Sequence, residues 1–263
     1  MNKNKLTPLW SIHSESNPIS YLFGTMHVQD IRAFSFAERV KKCIEICDEF
    51  YTEIHFDSLN DSRMFQAQKL PEGVTLLSLL GEKKFAKANK MIKKMFGIPL
   101  KYMNDILPMI VINQLMMKHL ANDHNEHLDM TLFQYAQSLG KTTKGIETIE
   151  GHIGVLEQIP LSVQKKQFLD FIKTPNRYKK LTSKLANLYA SGDIYKLYKI
   201  SKKSMGDMKT IMIYNRNVDM AEYIHSNIQK SAVYAVGAGH LAGKKGIIKL
   251  LKNKNIKLRP ITL

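Results

Sequence analysis

Short apolar runs and long amphipathic stretches alternate along the chain, and the short runs gather toward its two ends. Ile19-Ser20-Tyr21-Leu22-Phe23 and Ala232-Val233-Tyr234-Ala235-Val236 each stop at a glycine turn and read as buried strands. After the first turn comes a helical pattern, with Ser35 as its expected N-cap, and then a second strand at Phe50-Tyr51-Thr52-Glu53-Ile54, giving a βαβ unit. From about residue 58 to 137 the spacing is helical, as in Leu76, Leu77, Leu79 and Leu80 and later Ile110, Val111, Leu115 and Met116. Breakers at Pro71-Glu72-Gly73, Gly97-Ile98-Pro99 and Pro108 divide that stretch into several helices. Strand character returns at Thr142-Thr143-Lys144-Gly145-Ile146-Glu147, and helices are expected over 162–172, 176–190 and 207–229. The end repeats the opening: strand 232–236, a turn, helix 244–252, and strand Ile256-Lys257-Leu258-Arg259-Pro260. This order predicts an α/β (mixed α+β) fold. A central mixed β-sheet would form from the N- and C-terminal segments, flanked by helices, with a largely helical middle.

Length changes this picture little: 263 residues suffice for one substantial core, and a single domain over 1–263 with a helical insert at about 58–137 is expected. Charge adds a question, because 39 Lys+Arg stand against 23 Asp+Glu, a formal +16. Only six of the basic residues are Arg, the residue suited to bidentate phosphate and guanine contacts, and the lysines are spread over most polar faces. No nucleic-acid partner is expected. The densest basic patch, Lys244, Lys245, Lys249, Lys252, Lys254 and Lys257, reads as a solvated face of the last helix and strand. Cys43 and Cys47 are four apart on a helix face shared with Phe36 and Val40, which makes them core residues and not a disulfide or zinc clasp. The N-terminal segment lacks the apolar region of a secretion signal. The longest uncharged apolar stretch, Ile106 to Met117, is too short to span a bilayer. A cytoplasmic protein without a membrane span is expected.

The chemistry-bearing signal is an echo. Leu22-Phe23-Gly24-Thr25-Met26-His27 and Val236-Gly237-Ala238-Gly239-His240-Leu241 place the same Gly-x-x-His unit behind a strand twice. Each glycine permits a sharp turn or a close approach where its strand ends, and the imidazole three residues on can fold back over that end. In open parallel sheets ligands bind at this edge. His27, Glu53, Glu147 and His240 all fall at expected strand ends, and parallel, adjacent strands would bring them together. Two imidazoles and one or two carboxylates suit a divalent transition metal with an open position for water or substrate. A second histidine group, His119, His124 and His127, does not share one helical face and lies in a polar loop.

Taken in order, several landmarks resemble those of the TraB, GumN and Tiki family: the first Gly-x-x-His unit, the acidic strand at Glu53, Leu128-Asp129, Ala136-Gln137-Ser138-Leu139-Gly140-Lys141, Gly145-Ile146-Glu147-Thr148, Asn215-Arg216-Asn217, and Val236 to Gly243. The resemblance covers nearly the whole chain. It implies a metal-dependent, peptidase-like hydrolase fold related to the erythromycin-esterase and ChaN group, with a mixed sheet flanked by helices and a peptide or protein substrate. It further implies His27 and His240 as metal ligands with Glu53 beside them, and Glu147 and Arg216 as an acid and a cation in the same cleft.

On that basis a divalent ion (Mn, Co or Zn) held by His27, Glu53 and His240 would polarise the scissile carbonyl and acidify its bound water. Glu147 would act as general base and Arg216 would orient substrate or stabilise an oxyanion, with the roles of the two glutamates interchangeable. Two other readings stand beside this one: a non-catalytic peptide-binding or sequestering protein, and an esterase-like hydrolase. The sequence leaves the oligomeric state open.

Overall fold

The structure, a computed structural model, describes residues 7–14 and 18–262. Its centre is a six-stranded mixed sheet built from β1 (Leu9–His13), β2 (Ser20–Thr25), β3 (Glu49–Thr52), β4 (Thr142–Gly145), β5 (Ala232–Gly237) and β6 (Lys257–Pro260), in the order β4-β3-β5-β2-β1-β6. Neighbours from β4 to β2 are parallel, whereas β1 runs antiparallel to both β2 and β6. The mixed α/β fold expected from the sequence is thus present, with the sheet drawn mostly from the two ends of the chain and β4 from its middle.

Adjacent strand residues face opposite ways, and this sheet is covered on both faces. Phe23, Phe50, Val233 and Ala235 pack on one side with the helix Ala37–Ile46, while Leu22, Tyr51, Tyr234 and Val236 pack on the other with the helices Arg216–Ser226 and Ile247–Asn253. Such strands read as continuous apolar runs. A third cluster lies in the helical middle, where Leu76, Ile92, Leu100, Val111 and Leu115 meet Phe168 and Phe171. The breakers act as expected: Gly73 and Gly97 take positive φ, and Pro108 opens the helix Pro108–His119. Cys43 and Cys47 are free and buried in the core. No helix among the described residues is long and apolar enough to cross a membrane.

Two local expectations are corrected. Ser35 does not cap the first helix: a 3₁₀ turn over Ile31–Phe36 precedes it, started by the Asp30 carboxylate, which accepts the Arg32 N–H. The stretch 207–229 is not one helix but a 3₁₀ turn, a π-helical segment at Thr210–Asn215 and the helix Arg216–Ser226. Strand β1 and the helix Ile194–Met205 carry no sequence expectation, β1 because Ser11 and His13 interrupt so short an apolar run.

Candidate active site

The four parallel strands end in register, with Thr25 beside Gly237 and Thr52 beside Gly145, so the segments that follow leave from one edge. Glu53 comes directly after β3, His27 and Glu147 two residues after β2 and β4, and His240 three after β5. The two Gly-x-x-His turns pack on each other. A Cβ on Gly24 would lie 2.6 Å from Leu241 Cδ1 and 3.0 Å from Ala238 Cα, so the first turn needs glycine to make room for the second. A Cβ on Gly237 would come 3.1 Å from Glu53 Oε1, which instead accepts the Gly237 N–H at 2.6 Å.

Arg216 ties this edge together. Its Nε and Nη2 donate to the two oxygens of Glu147 at 2.8 and 2.6 Å, and Nη2 also donates to Glu53 Oε2. The guanidinium side chain is only 7% exposed and the two carboxylates 14% and 10%, so each charge depends on the others for solvation. Burial pushes the Glu53 carboxyl up, but Arg216 and then the two histidines outweigh it and hold it well below the carboxylate range. Glu147 follows the same pattern: burial raises it, while His152 and Arg216 bring the net shift downward. Burial likewise works against the Arg216 charge, which Glu53 and Glu147 more than restore.

His240 is buried and its tautomer is fixed by a chain of bonds. Asn217 Nδ2 donates to the Lys245 carbonyl at 2.6 Å, which leaves Asn217 Oδ1 as the acceptor for His240 Nδ1–H, also at 2.6 Å. The unprotonated Nε2 therefore faces Arg216 Nη1 at 3.5 Å and Glu53 Oε1 at 3.7 Å. Burial and Arg216 keep this imidazole neutral, with its pKa lowered to about 4.

His27 belongs to a second group on the same edge. Its Nδ1 lies 2.9 Å from Asp129 Oδ2, and the two side chains are 52% and 4% exposed, a solvent-facing imidazole on a buried anion. Asp129 raises His27 to about 9 against the effect of burial. Burial raises the Asp129 carboxyl in turn, and His27 outweighs it to leave Asp129 well below its usual range. Asp129 sits in the first turn of the helix Leu128–Ser138, capped by His127, whose Nδ1 accepts the Met130 N–H and lies 3.7 Å from Asp129 Oδ2. The buried Tyr189 hydroxyl braces the turn by donating to the Gly24 carbonyl at 2.8 Å.

Among the described residues, His27, His127 and Asp129 form the one group of histidine, cysteine and acidic side chains whose donor atoms all lie within 4.8 Å of one another. Asp129 Oδ2 is buried, and its charge is met by His27 at 2.9 Å, by His127 at 3.7 Å and by the buried Thr25 hydroxyl of the His27 turn. Two imidazoles and a carboxylate are a donor set for a divalent transition metal, and the residues present fit such an ion.

Of the five residues singled out in the sequence, Glu53, Glu147, Arg216 and His240 stand in direct contact, while His27 stands with Asp129 and His127. His27 and Glu53 still influence one another's charge. Asp129 appeared in the sequence only as a landmark. His127 appeared in a loop triad that does not assemble as such: His124 stacks on Phe34 with ring centroids 3.6 Å apart, and His127 turns to His27. The signal for His127 was its place just before a helix with an acidic residue in its first turn, an N-cap position.

A mixed sheet whose parallel strands bring imidazoles and carboxylates to a single edge, where a helix adds one guanidinium, defines an α/β protein with a polar, charge-dense edge. The chain belongs to the TraB/PrgY/gumN family, whose model matches residues 8–260. It is similar to a protein named Metalloprotease TIKI homolog from Amphimedon queenslandica, at 22% identity over 323 aligned positions covering 100% of this chain and 63% of that protein. It is also similar to Metalloprotease TIKI2 of Danio rerio and of Xenopus tropicalis, each 22% identical over 95% of this chain and 60% and 59% of theirs. The chain thus spans about three-fifths of the length of these relatives. No solved structure matches it.

Proposed function

We propose that the chain is a divalent-metal-dependent hydrolase of the peptidase kind, acting on a peptide or protein at the carboxyl edge of its parallel strands. The observation that carries this reading is the group His27, His127 and Asp129, with donor atoms within 4.8 Å and a half-exposed imidazole, next to the Glu53–Arg216–Glu147 cluster. The metalloprotease names of the relatives support it.

His27, His127 and Asp129 would hold the ion. When bound, it supplies Lewis-acid polarisation of a carbonyl and an acidified water. Arg216 keeps Glu53 and Glu147 ionised and fixes where their oxygens point, so Glu147 is proposed as the group that accepts a proton, with His152 Nδ1 3.8 Å from its Oε2 as the next titratable neighbour. In this role Arg216 is a positioning residue for the two acids. Asn217 fixes the tautomer of His240, leaving an unprotonated Nε2 turned toward Glu53.

That last feature favours one second ligand set, His240 and Glu53 joining His27, because Nε2 and Oε1 are both lone-pair atoms 3.7 Å apart. Hydrolysis of a peptide library with chelated and with Mn-, Co- or Zn-loaded protein tests the reading. Cleavage that needs an ion, and that His127→Ala removes while His240→Ala only slows, is expected. Loss of cleavage and metal in His240→Ala but not in His127→Ala moves the ion to the second set. Peptide binding that persists in His27→Ala, with no cleavage by any loaded form, contradicts the hydrolase and favours a sequestering protein.

A further inference from the structure

The basic patch near the C-terminus is not a simple solvated face. Lys202, Lys244, Lys245 and Lys249 line a cavity of about 670 Å³ between the helix Ile194–Met205, the π-helical segment and the loop after His240, and no acidic residue lines it among the described residues. None of the four ammonium groups has an ion-pair partner within 4.0 Å among the described residues, although 39 basic and 23 acidic side chains make the protein short of anions. Tyrosines hold two of them in place: Lys245 Nζ stands 4.8 Å from the Tyr214 ring centroid and Lys202 Nζ 5.8 Å from that of Tyr198.

The loop is shaped to fit. Gly243 has a φ of +97°, and a Cβ there would fall 2.4 Å from the Tyr198 ring, so the backbone lies directly on that tyrosine with Lys244 and Lys245 just beyond it. A third ring, Tyr195, lines the cavity and is 53% exposed. Hydrogen bonds with Tyr198 and Lys202, with the charges of Lys202 and Lys209 behind them, outweigh burial to lower the Tyr214 phenol. A cavity of this volume takes a small molecule. Uncompensated ammonium groups select charge, and the exposed face of Tyr195 selects a planar ring.

We propose that this cavity binds a small organic phosphate with at least two negative charges and a planar ring, of the nucleoside-diphosphate kind. Lys244 and Lys245 contact the phosphoryl groups, and the Tyr195 ring packs on the planar part.

The test is calorimetric titration of the full, metal-depleted chain with ADP and, separately, with inorganic pyrophosphate, so it does not depend on the hydrolase reading. ADP should bind more tightly than pyrophosphate. Lys244→Gln/Lys245→Gln should weaken both by about tenfold or more, and Tyr195→Ala should weaken ADP alone. The control Lys83→Gln/Lys84→Gln, on the distant helix Glu82–Phe96, should leave both unchanged. Heat melts confirm that each variant is folded. Absence of binding up to about 5 mM, equal weakening by the control pair, or pyrophosphate binding as tightly as ADP would overturn the proposal.

Discussion

Arg216 shows how much a single side chain settles at this edge. Its fork satisfies both oxygens of Glu147 and one of Glu53 inside a site that water barely reaches. Replacing it by Gln strands two buried carboxylates, and we expect a loss of about 3–5 kcal/mol in chelator-treated protein, read by urea unfolding. Arg216→Lys keeps the charge but not the fork, so it should fall between the two. A loss under about 1 kcal/mol for Arg216→Gln would show that the carboxylates find other partners. Arg216 was legible in the sequence only through a resemblance, since an Arg on an amphipathic helix is ordinarily an exposed charge. Asn217 was less legible still, because its role lies in two hydrogen bonds to residues 23 and 28 positions away. His27, Glu53, Glu147 and His240 could be placed at one edge from strand ends alone. What that reasoning could not give was the partner of each: side-chain direction after a turn is set by packing, and packing turns His27 toward Asp129 and His240 toward Asn217.

Elements explain the rest of the site. The π-helical segment at Thr210–Asn215 adds a residue to its turns and changes the phase of the helix that follows, where Arg216 and Asn217, adjacent in sequence, are both buried. A hydrophobic period of 3.6 cannot encode such a shift, which is why 207–229 reads as one helix. Strands β2, β3 and β5 were readable because burial on both faces makes them continuous apolar runs, unlike β1, which Ser11 and His13 interrupt.

The turn after β5 also carries a test that ordinary turn chemistry would miss. Gly246 has a φ of −81°, open to any residue, yet a Cβ there would fall 2.3 Å from the Ala242 carbonyl oxygen and 2.4 Å from that of Leu241. These are backbone atoms with little freedom, so Gly246→Ala should cost about 2 kcal/mol or more. Gly154, in the helix Ile149–Glu157, meets nothing within 4 Å, and Gly154→Ala should raise stability by up to about 1 kcal/mol. Thermal melts of the two variants check the contrast. Equal tolerance would mean that the turn relaxes.

At the scale of the whole molecule, the buried histidine and the ion-paired one set opposite pH limits on the metal-free fold. His240 has its pKa lowered from 6.5 to about 4, so its unfolded form binds protons first. Its contribution is complete above pH 6.5 and falls away as pH drops toward 4, on the order of 3 kcal/mol. His27, raised from 6.5 to about 9, contributes fully below 6.5 and loses that contribution as pH rises through 9; solvent on its exposed face makes this limb shallower. Melting temperatures of chelated protein should therefore peak near neutral pH, with the steeper fall on the acid side. A flat profile between pH 4.5 and 6.5 would mean that His240 is not held neutral.

We propose that the edge built from two Gly-x-x-His turns holds a divalent ion through His27. Metal content by mass spectrometry, on untagged protein purified without chelator and compared with His27→Ala and Asp129→Asn, tests it most directly. One tightly held ion per native chain is expected, with most of it lost in both variants and folding retained. A native chain that takes up no ion when offered Mn, Co or Zn, or variants that load as fully as the native protein, would contradict it.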